Sequence, residues 1–388
     1  MQQNVKILMD LLRCSACGEK ADESIISALT PDILQDVYTV SRRHGLSPLI
    51  GDALEKADFL GDLPSHKRLR KEVLDSVFSF EKFKYETEQT VQVFEEKRIP
   101  FVLLKGAVLR YFYSEPHLRA SCDLDILVHE KDIKKAGDLL ENVLNYKKIH
   151  EGTHHITYTL GDGVNVELHF ALIEKHQAVN SYKIAEKVWD YARIKKGFNY
   201  QYELREEFIY FYHIAHCATH FEVGGCGIKP VLDLYILKRK INCETNEIKQ
   251  ILRKSGLMKF DEYLNKLCDV WFNEKEHNDV TRIMEEFIID GGAGGTKEQN
   301  LILKKHRSGG KTGYVFSRLF VPFRELKKDY PILGKIPVLL PFFEVLRWLK
   351  LLLKKDKNYI SNRYETVKNI PDEKLKKIGE MLRETGLE

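Results

Sequence analysis

The chain has 388 residues, 43% of them hydrophobic and 30% charged, which is the composition of a globular protein with a sizeable core. Its formal net charge is only +4, so no overall signal points to nucleic acid or to a membrane. Seven scattered cysteines fit a reducing cytosol, and the N-terminus lacks the features of a signal peptide, so we expect a cytoplasmic protein. No apolar run is long enough to predict a membrane span.

Four regions follow one another along the chain. Residues 1–98 have apolar residues at spacings of three and four, which predicts helices. Residues 99–180 change period, because FVLLKG, CDLDILV, HHITYTL and VNVELHF predict strands, the last two joined as a hairpin. Helical patterns return over 181–300 and continue through a basic region, 301–388. The expected fold class is α+β: a small mixed β-sheet with a helical N-terminal layer and a helical C-terminal domain.

Two carboxylates in CDLDILV are separated by a single residue. Asp123 and Asp125 would share one face of a strand, where like charges repel unless a cation lies between them. Glu167 and His169 share one face of VNVELHF, so Glu167 becomes a third acid if the two strands are neighbours. Three carboxylates at a sheet edge suit Mg²⁺ or Mn²⁺, which predicts Asp123, Asp125 and Glu167 as metal ligands. The alternative is that these acids face solvent on a half-exposed strand.

A glycine turn precedes the aspartates. A strand that ends at Gly106 and leads into a helix would present backbone N–H groups to an anion, and Lys105 could add a positive charge for a triphosphate. The residues match neither the P-loop nor the dinucleotide-binding pattern. A turn with only a structural role is the alternative.

A glycine turn, a spacer, D-x-D on a strand and a later acid on another strand resemble the DNA polymerase β-like nucleotidyltransferase superfamily. More narrowly, FVLLKGAVLRYFY, CDLDILV and VELHF are similar to a bacterial group, the uncharacterised nucleotidyltransferase family. The resemblance implies a sheet of nucleotidyltransferase type and a two-metal transfer of a nucleotide from an NTP to an acceptor hydroxyl, with pyrophosphate released. It implies that Asp123 and Asp125 bind the metals, that Glu167 is the third acid, and that Lys105 and Gly106 contact phosphate.

One departure from the superfamily concerns the turn. Ala107 stands where the superfamily usually has glycine or serine, so Lys105, Arg119 or Ser121 is expected to supply the missing phosphate contact.

The resemblance continues in FIYFYHIAHCATHFEVGGCGIKPVLD, because the family has a helix ending in GIGIR before an aspartate. Lys229 stands at the arginine and Asp233 at the aspartate, and both are predicted to serve nucleotide binding. His216 and His220 share a helix face and are predicted to form the far wall of the nucleotide cleft. A zinc site is an alternative, although Cys217 replaces the glutamate of H-E-x-x-H. Histidines packed in the core, and a Lys229–Asp233 pair on the surface, are the competing structural interpretations.

The C-terminal region is basic. Residues 301–388 hold 20 Lys and Arg against 10 Asp and Glu, and 336–355 form a basic amphipathic run. A weak membrane-surface contact, an RNA-facing surface and packing against its own domain are the three interpretations of this run. The expected partners are an NTP and an acceptor, a small molecule being favoured over RNA or protein. A non-catalytic nucleotide-binding protein at the membrane surface is the remaining alternative.

Overall fold

The structure, a computed structural model, describes residues 2–161, 164–174, 177–308, 323, 326–327, 330–353 and 371–388. The chain divides into two compact units. The first unit comprises Met1–Gly295 with Glu384–Leu387, and the second comprises Thr296–Arg383 with Glu388.

The N-terminal part of the first unit is helical, as its sequence period predicts. The helices are α1 (Gln3–Cys17), α2 (Glu23–Ser27), α3 (Pro31–Arg43), α4 (Ser47–Lys56) and α5 (Pro64–Glu96). Helix α3 begins where the Thr30 side chain accepts a hydrogen bond from the Ile33 N–H group, and α1 ends at Gly18, which is left-handed. Apolar residues three and four apart on α1 are buried, so this helix lies in the core of the layer.

A mixed sheet forms the centre of the first unit, and it confirms the expected α+β class. Its strands are β1 (Phe101–Leu103), β2 (Asp123–Val128), β3 (Lys147–Glu151), β4 (His155–Thr159), β5 (Asn165–His169), β6 (Ala192–Ile194) and β7 (Gln201–Leu204). Their spatial order is β3-β4-β5-β2-β1-β7-β6. The pairs β2–β5 and β1–β7 are parallel, and the other neighbours are antiparallel.

The two faces of the sheet differ in polarity. On β2 and β5 the residues Leu124, Ile126, Val166 and Leu168 belong to one buried apolar cluster. Helix α5 and helix α7 (Ile133–Asn142) contribute to the same cluster and cover that face. The alternate positions of both strands therefore face the other way, and the acids lie among them.

Strands β6 and β7 correct the expectation of helices alone after residue 180. Gly197 has φ +89° between them, a value that suits glycine, and the turn lets β7 return beside β1. The carboxylate of Glu95 on α5 accepts hydrogen bonds from the N–H groups of Asn199, Tyr200 and Gln201. A helix far away in the sequence thus fixes the start of β7, and no local pattern could show it.

A second group of helices completes the first unit. The short helices are α6 (Gly106–Leu109), between β1 and β2, and α8 (Tyr182–Ala185), before β6. The longer ones are α9 (Glu206–Val223), α10 (Ile228–Lys240), α11 (Asn246–Ser255), α12 (Met258–Phe272) and α13 (Asp279–Gly291). More than half of the residues of α9 and α10 are buried, so both helices lie in the interior of this group.

The second unit contains α14 (Lys297–Arg307) and α15 (Leu340–Leu353), and α16 (Asp372–Thr385) begins in it. On α15 the side chains of Phe342, Val345 and Leu349, three and four residues apart, are more than half exposed. The membrane-surface contact predicted for 336–355 stays a prediction, and its last residues, 354–355, lie outside the described part of the chain. Within the described ranges, no helix is both long and apolar enough to cross a membrane.

Candidate active site

Two carboxylates face each other across the parallel strands β2 and β5. Asp125 is in register with Glu167, so the expected adjacency of their strands is confirmed. Asp125 is 4% exposed, and its Oδ1 lies 2.7 Å from Lys105 Nζ and 2.9 Å from His169 Nε2. Glu167 Oε2 lies 3.4 Å from the same histidine nitrogen and 4.0 Å from the lysine. One lysine and one histidine therefore hold both acids together.

The charges around this pair decide its protonation. Burial opposes ionisation of Asp125, but Lys105 and His169 outweigh it and hold the pKa below its ordinary value. The hydrogen bond from His169 is the main cause that lowers the pKa of Glu167. Burial also disfavours the charged form of Lys105, yet Tyr212, Asp125 and Glu167 raise its pKa overall. At neutral pH the site holds two carboxylates and an ammonium group.

Asp123 is the first residue of β2, two positions before Asp125. It is half-buried, and the Asn165 side chain donates a hydrogen bond to its Oδ1 over 3.3 Å. Burial is the main cause that raises the pKa of Asp123. The compact group of possible metal ligands is Asp125, Glu167 and His169, whose ligand atoms lie within 4.8 Å of one another. These donors fit a divalent cation, and Asp123 shares their face of the sheet without belonging to that group.

The Lys105–Gly106 turn is tightly packed. Lys105 has φ +42°, a value that costs energy for a residue with a side chain. A Cβ at Gly106 would lie 2.5 Å from Ser121 Oγ, so any larger residue there would force Ser121 to shift. The N–H groups of Ala107 and Val108 donate to the carbonyls of Leu104 and Lys105, which closes the turn. Phosphate contact by this turn stays a prediction.

Three basic side chains make contacts in the segment that leads into β2. Arg119 donates two hydrogen bonds of 2.8 Å to Asp233, and both side chains are nearly fully buried. Lys229 Nζ donates to the carbonyl oxygen of Ala120 over 2.8 Å, and burial together with nearby Arg119 lowers the pKa of this lysine to about 8. Arg110 donates to the carbonyl oxygen of Ser121. These contacts position β2.

The sequence assigned Arg119, Lys229 and Asp233 to nucleotide binding. In the structure Arg119 binds Asp233, and Lys229 binds the backbone carbonyl of Ala120, just before the strand that carries Asp123 and Asp125. Ser121 donates to the carbonyl oxygen of Asp123 over 3.3 Å. A direct role of these four residues in nucleotide binding stays a prediction.

Helix α9 faces the Lys105 side of the site. Burial lowers the pKa values of His216 and His220, and the charge of Lys105 lowers them further. Tyr212, one turn before His216, has its pKa raised to about 12 by burial, against the effect of Lys105. Its buried hydroxyl has no hydrogen-bond partner within the described part of the chain. The i,i+4 spacing that put His216 and His220 on one face could also have found Tyr212.

The alternative zinc site on α9 has no third ligand among the residues that the structure describes. The rings of His216 and His220 are 4.5 Å apart, but His213 Nε2 lies 2.8 Å from the carbonyl oxygen of Pro230. Among the described residues, neither group of three possible metal ligands includes an α9 histidine. A place for His216 and His220 in the nucleotide cleft stays a prediction.

Three histidines that sequence reasoning did not assign lie beside the acids. His154, His155 and His169 form a second group with ligand atoms within 4.8 Å of one another. Burial is the main cause that lowers the pKa of His154, to about 4, and it also lowers the pKa of His155. The period-two alternation of the strand places His169 on the same face as Glu167, and this feature of the sequence could have identified His169 as a site residue. The approach of His154 required the β4–β5 pairing.

A mixed sheet with carboxylates on two neighbouring parallel strands has the form of a nucleotidyltransferase fold. The chain belongs to the family described as uncharacterised nucleotidyltransferase, whose model matches residues 32–273. This confirms the resemblance expected from the sequence, and the family description indicates nucleotide transfer. The match spans the whole sheet and α9 and α10. Comparison with the curated proteins and with the solved structures gives no match.

Proposed function

We propose that this protein transfers a nucleotide from an NTP to the hydroxyl group of an acceptor and releases pyrophosphate, with Mg²⁺ or Mn²⁺ as its cofactor. The register of Asp125 with Glu167 on parallel strands carries the proposal, because it brings hard oxygen donors together on one face of the sheet. Membership of a nucleotidyltransferase family supports the reaction class.

The three acids would act as metal ligands, and one of them would also act as a base. Asp125 and Glu167 would hold the cation, with Asp123 as the further ligand on the same face. Bound divalent ions would neutralise phosphate charge and lower the pKa of the attacking hydroxyl. Glu167 has the more exposed carboxylate of the facing pair, with 25% of its side chain exposed against 6% for Asp125. We therefore propose that the Glu167 carboxylate is the general base, which accepts the proton of the acceptor hydroxyl.

Lys105 and His169 prepare the site for a phosphate ligand. Lys105 Nζ donates a hydrogen bond of 2.7 Å to Asp125. A cation bound to Asp125 would replace this contact, and the ammonium group would then be free to bind a phosphate oxygen. His169 orients the same Asp125 oxygen through Nε2. Tyr212, His216 and His220 would form the opposite wall of the cleft, because they experience the charge of Lys105.

We propose a small molecule as the acceptor and the cytoplasm as the location. The seven cysteines are all free, and four of them are buried, as expected in a reducing compartment. RNA or protein as the acceptor, and nucleotide binding without turnover, are the competing outcomes of the test below.

The test uses α-³²P-labelled NTPs, Mg²⁺ and a cell lysate, so that no acceptor has to be chosen in advance. The wild-type protein should place the label on a small acid-soluble product, and Asp125→Asn and Glu167→Gln should each abolish the transfer. Asp138→Asn removes an exposed carboxylate on α7 and should keep it. Label that stays with RNA or protein on a gel would replace the small-molecule acceptor. Unchanged transfer by Asp125→Asn would refute the site.

A further inference from the structure

We propose that His154, His155 and His169 form a binding site for one transition-metal dication of the Zn²⁺ type. His155 begins β4 and is in register with His169 on β5, and His154 directly precedes the strand. One ring nitrogen from each residue lies within 4.8 Å of the other two. This metal site goes beyond nucleotide transfer and does not depend on it.

The hydrogen bond of His169 fixes which of its nitrogens is available. Its Nε2 lies 2.9 Å from Asp125 Oδ1, and an ionised carboxylate can only accept, so Nε2 carries the hydrogen. In the neutral ring Nδ1 then has a free lone pair. His169 is 1% exposed, and among the described residues this buried Nδ1 has no hydrogen-bond partner, which is costly in a folded protein. A bound metal ion would supply the missing partner.

The other two rings also have a carboxylate near one ring nitrogen, at longer distances than in His169. His155 Nε2 lies 4.0 Å from Glu167 Oε1, and its Nδ1 is also buried without a partner. His154 Nδ1 lies 3.5 Å from Glu174 Oε1, which leaves Nε2 for a ligand. Histidines that bind metals usually donate their second ring N–H group to a carboxylate or a carbonyl. All three rings have a carboxylate on one side.

The backbone holds the site in place. The carbonyl oxygen of His154 accepts hydrogen bonds from the N–H groups of Phe170 and Ala171, at 3.1 and 3.3 Å. The residue before β4 is therefore tied to the residues that follow β5. Ligands on rigid elements need little reorganisation when the ion binds.

The donor set selects the metal. Imidazole nitrogens suit zinc, copper, iron and nickel, whereas Mg²⁺ prefers oxygen. Zn–N bonds of about 2.1 Å place tetrahedral nitrogens about 3.4 Å apart, so modest ring rotations would close this site. Three histidines leave the fourth position open to water or to another ligand. The oxygens of Asp125 and Glu167 suit Mg²⁺, and His169 lies between the two groups.

The test titrates the metal-free full chain with Zn²⁺ against a chromogenic chelator, with no nucleotide present. We expect one Zn²⁺ per chain at this site, and His154→Ala and His155→Ala should each weaken binding at least about tenfold. His150→Ala is the matched control: this exposed histidine has its ring 6.4 Å from that of His155, and its loss should change nothing. Because no NTP is used, failure of nucleotide transfer leaves this result untouched.

Two results would overturn the proposal. The first is wild-type protein that binds no Zn²⁺ at micromolar concentration, and the second is unchanged affinity in both alanine variants. X-ray absorption at the zinc edge of the wild-type protein gives a check that needs no variant. Nitrogen neighbours at about 2.0–2.1 Å support the histidine site, and a shell of oxygen alone contradicts it.

Discussion

The buried pair of Arg119 and Asp233 supports a quantitative prediction. The two side chains are 8% and 3% exposed, share two hydrogen bonds of 2.8 Å, and receive a third from the Tyr113 hydroxyl. Asp233→Asn leaves the guanidinium buried without its counter-charge, which costs about 3–5 kcal/mol of unfolding free energy. In a chain of this size we expect the apparent melting temperature to fall by about 4–6 °C.

The assay is thermal unfolding followed by circular dichroism, with two comparisons. Asp138→Asn removes the partner of Lys134 in an exposed pair and should shift the midpoint by less than about 2 °C. The double variant Arg119→Met with Asp233→Leu should recover much of the loss, because it leaves no buried charge without a partner. A fall for Asp233→Asn no larger than that for Asp138→Asn would refute the reasoning.

Three further predictions concern packing, pH and the surface. Gly106→Ala should lower the free energy of unfolding by about 1–3 kcal/mol, because its Cβ would meet the Ser121 hydroxyl at 2.5 Å. Adding Ser121→Gly to this variant should restore stability, and a melting temperature of Gly106→Ala equal to that of the wild type would contradict the reasoning. Burial lowers the pKa of His44 from 6.5 to about 4, so the free energy of unfolding should be full above pH 6.5 and fall by about 3 kcal/mol toward pH 4. His44→Gln should flatten this pH dependence, and an unchanged slope in the variant would contradict the assignment to His44. Phe342→Glu should abolish flotation with anionic liposomes without changing the melting temperature, whereas wild-type protein that does not float would exclude the membrane contact.

The face of the sheet that carries the acids could be predicted from the sequence because its signals are local. Alternation within CDLDILV and VNVELHF put the acids on one side of each strand, and the turn between β4 and β5 placed the second of these strands in a hairpin. The expected adjacency of the two strands is present in the structure, where β2 and β5 pair in parallel, a direction that the sequence analysis did not predict.

The parts that the sequence did not show depend on contacts between distant residues. Strand β7 is fixed by Glu95, about a hundred residues earlier. Arg119 and Asp233 are 114 positions apart, and no spacing rule pairs them. His154 approaches His169 only because β4 pairs with β5 in one particular register. Each of these contacts requires tertiary structure, so local patterns could supply the residues but not their partners.

The metal dependence of nucleotide binding tests the central claim most directly. Calorimetric titration with a non-hydrolysable NTP should show binding in Mg²⁺ and none in EDTA. Asp125→Asn should weaken the binding at least about tenfold, and the exposed-site variant Asp138→Asn should bind as the wild-type protein does. Equal affinity with and without the divalent ion, or wild-type affinity in Asp125→Asn, would contradict a metal-dependent nucleotide site on β2 and β5.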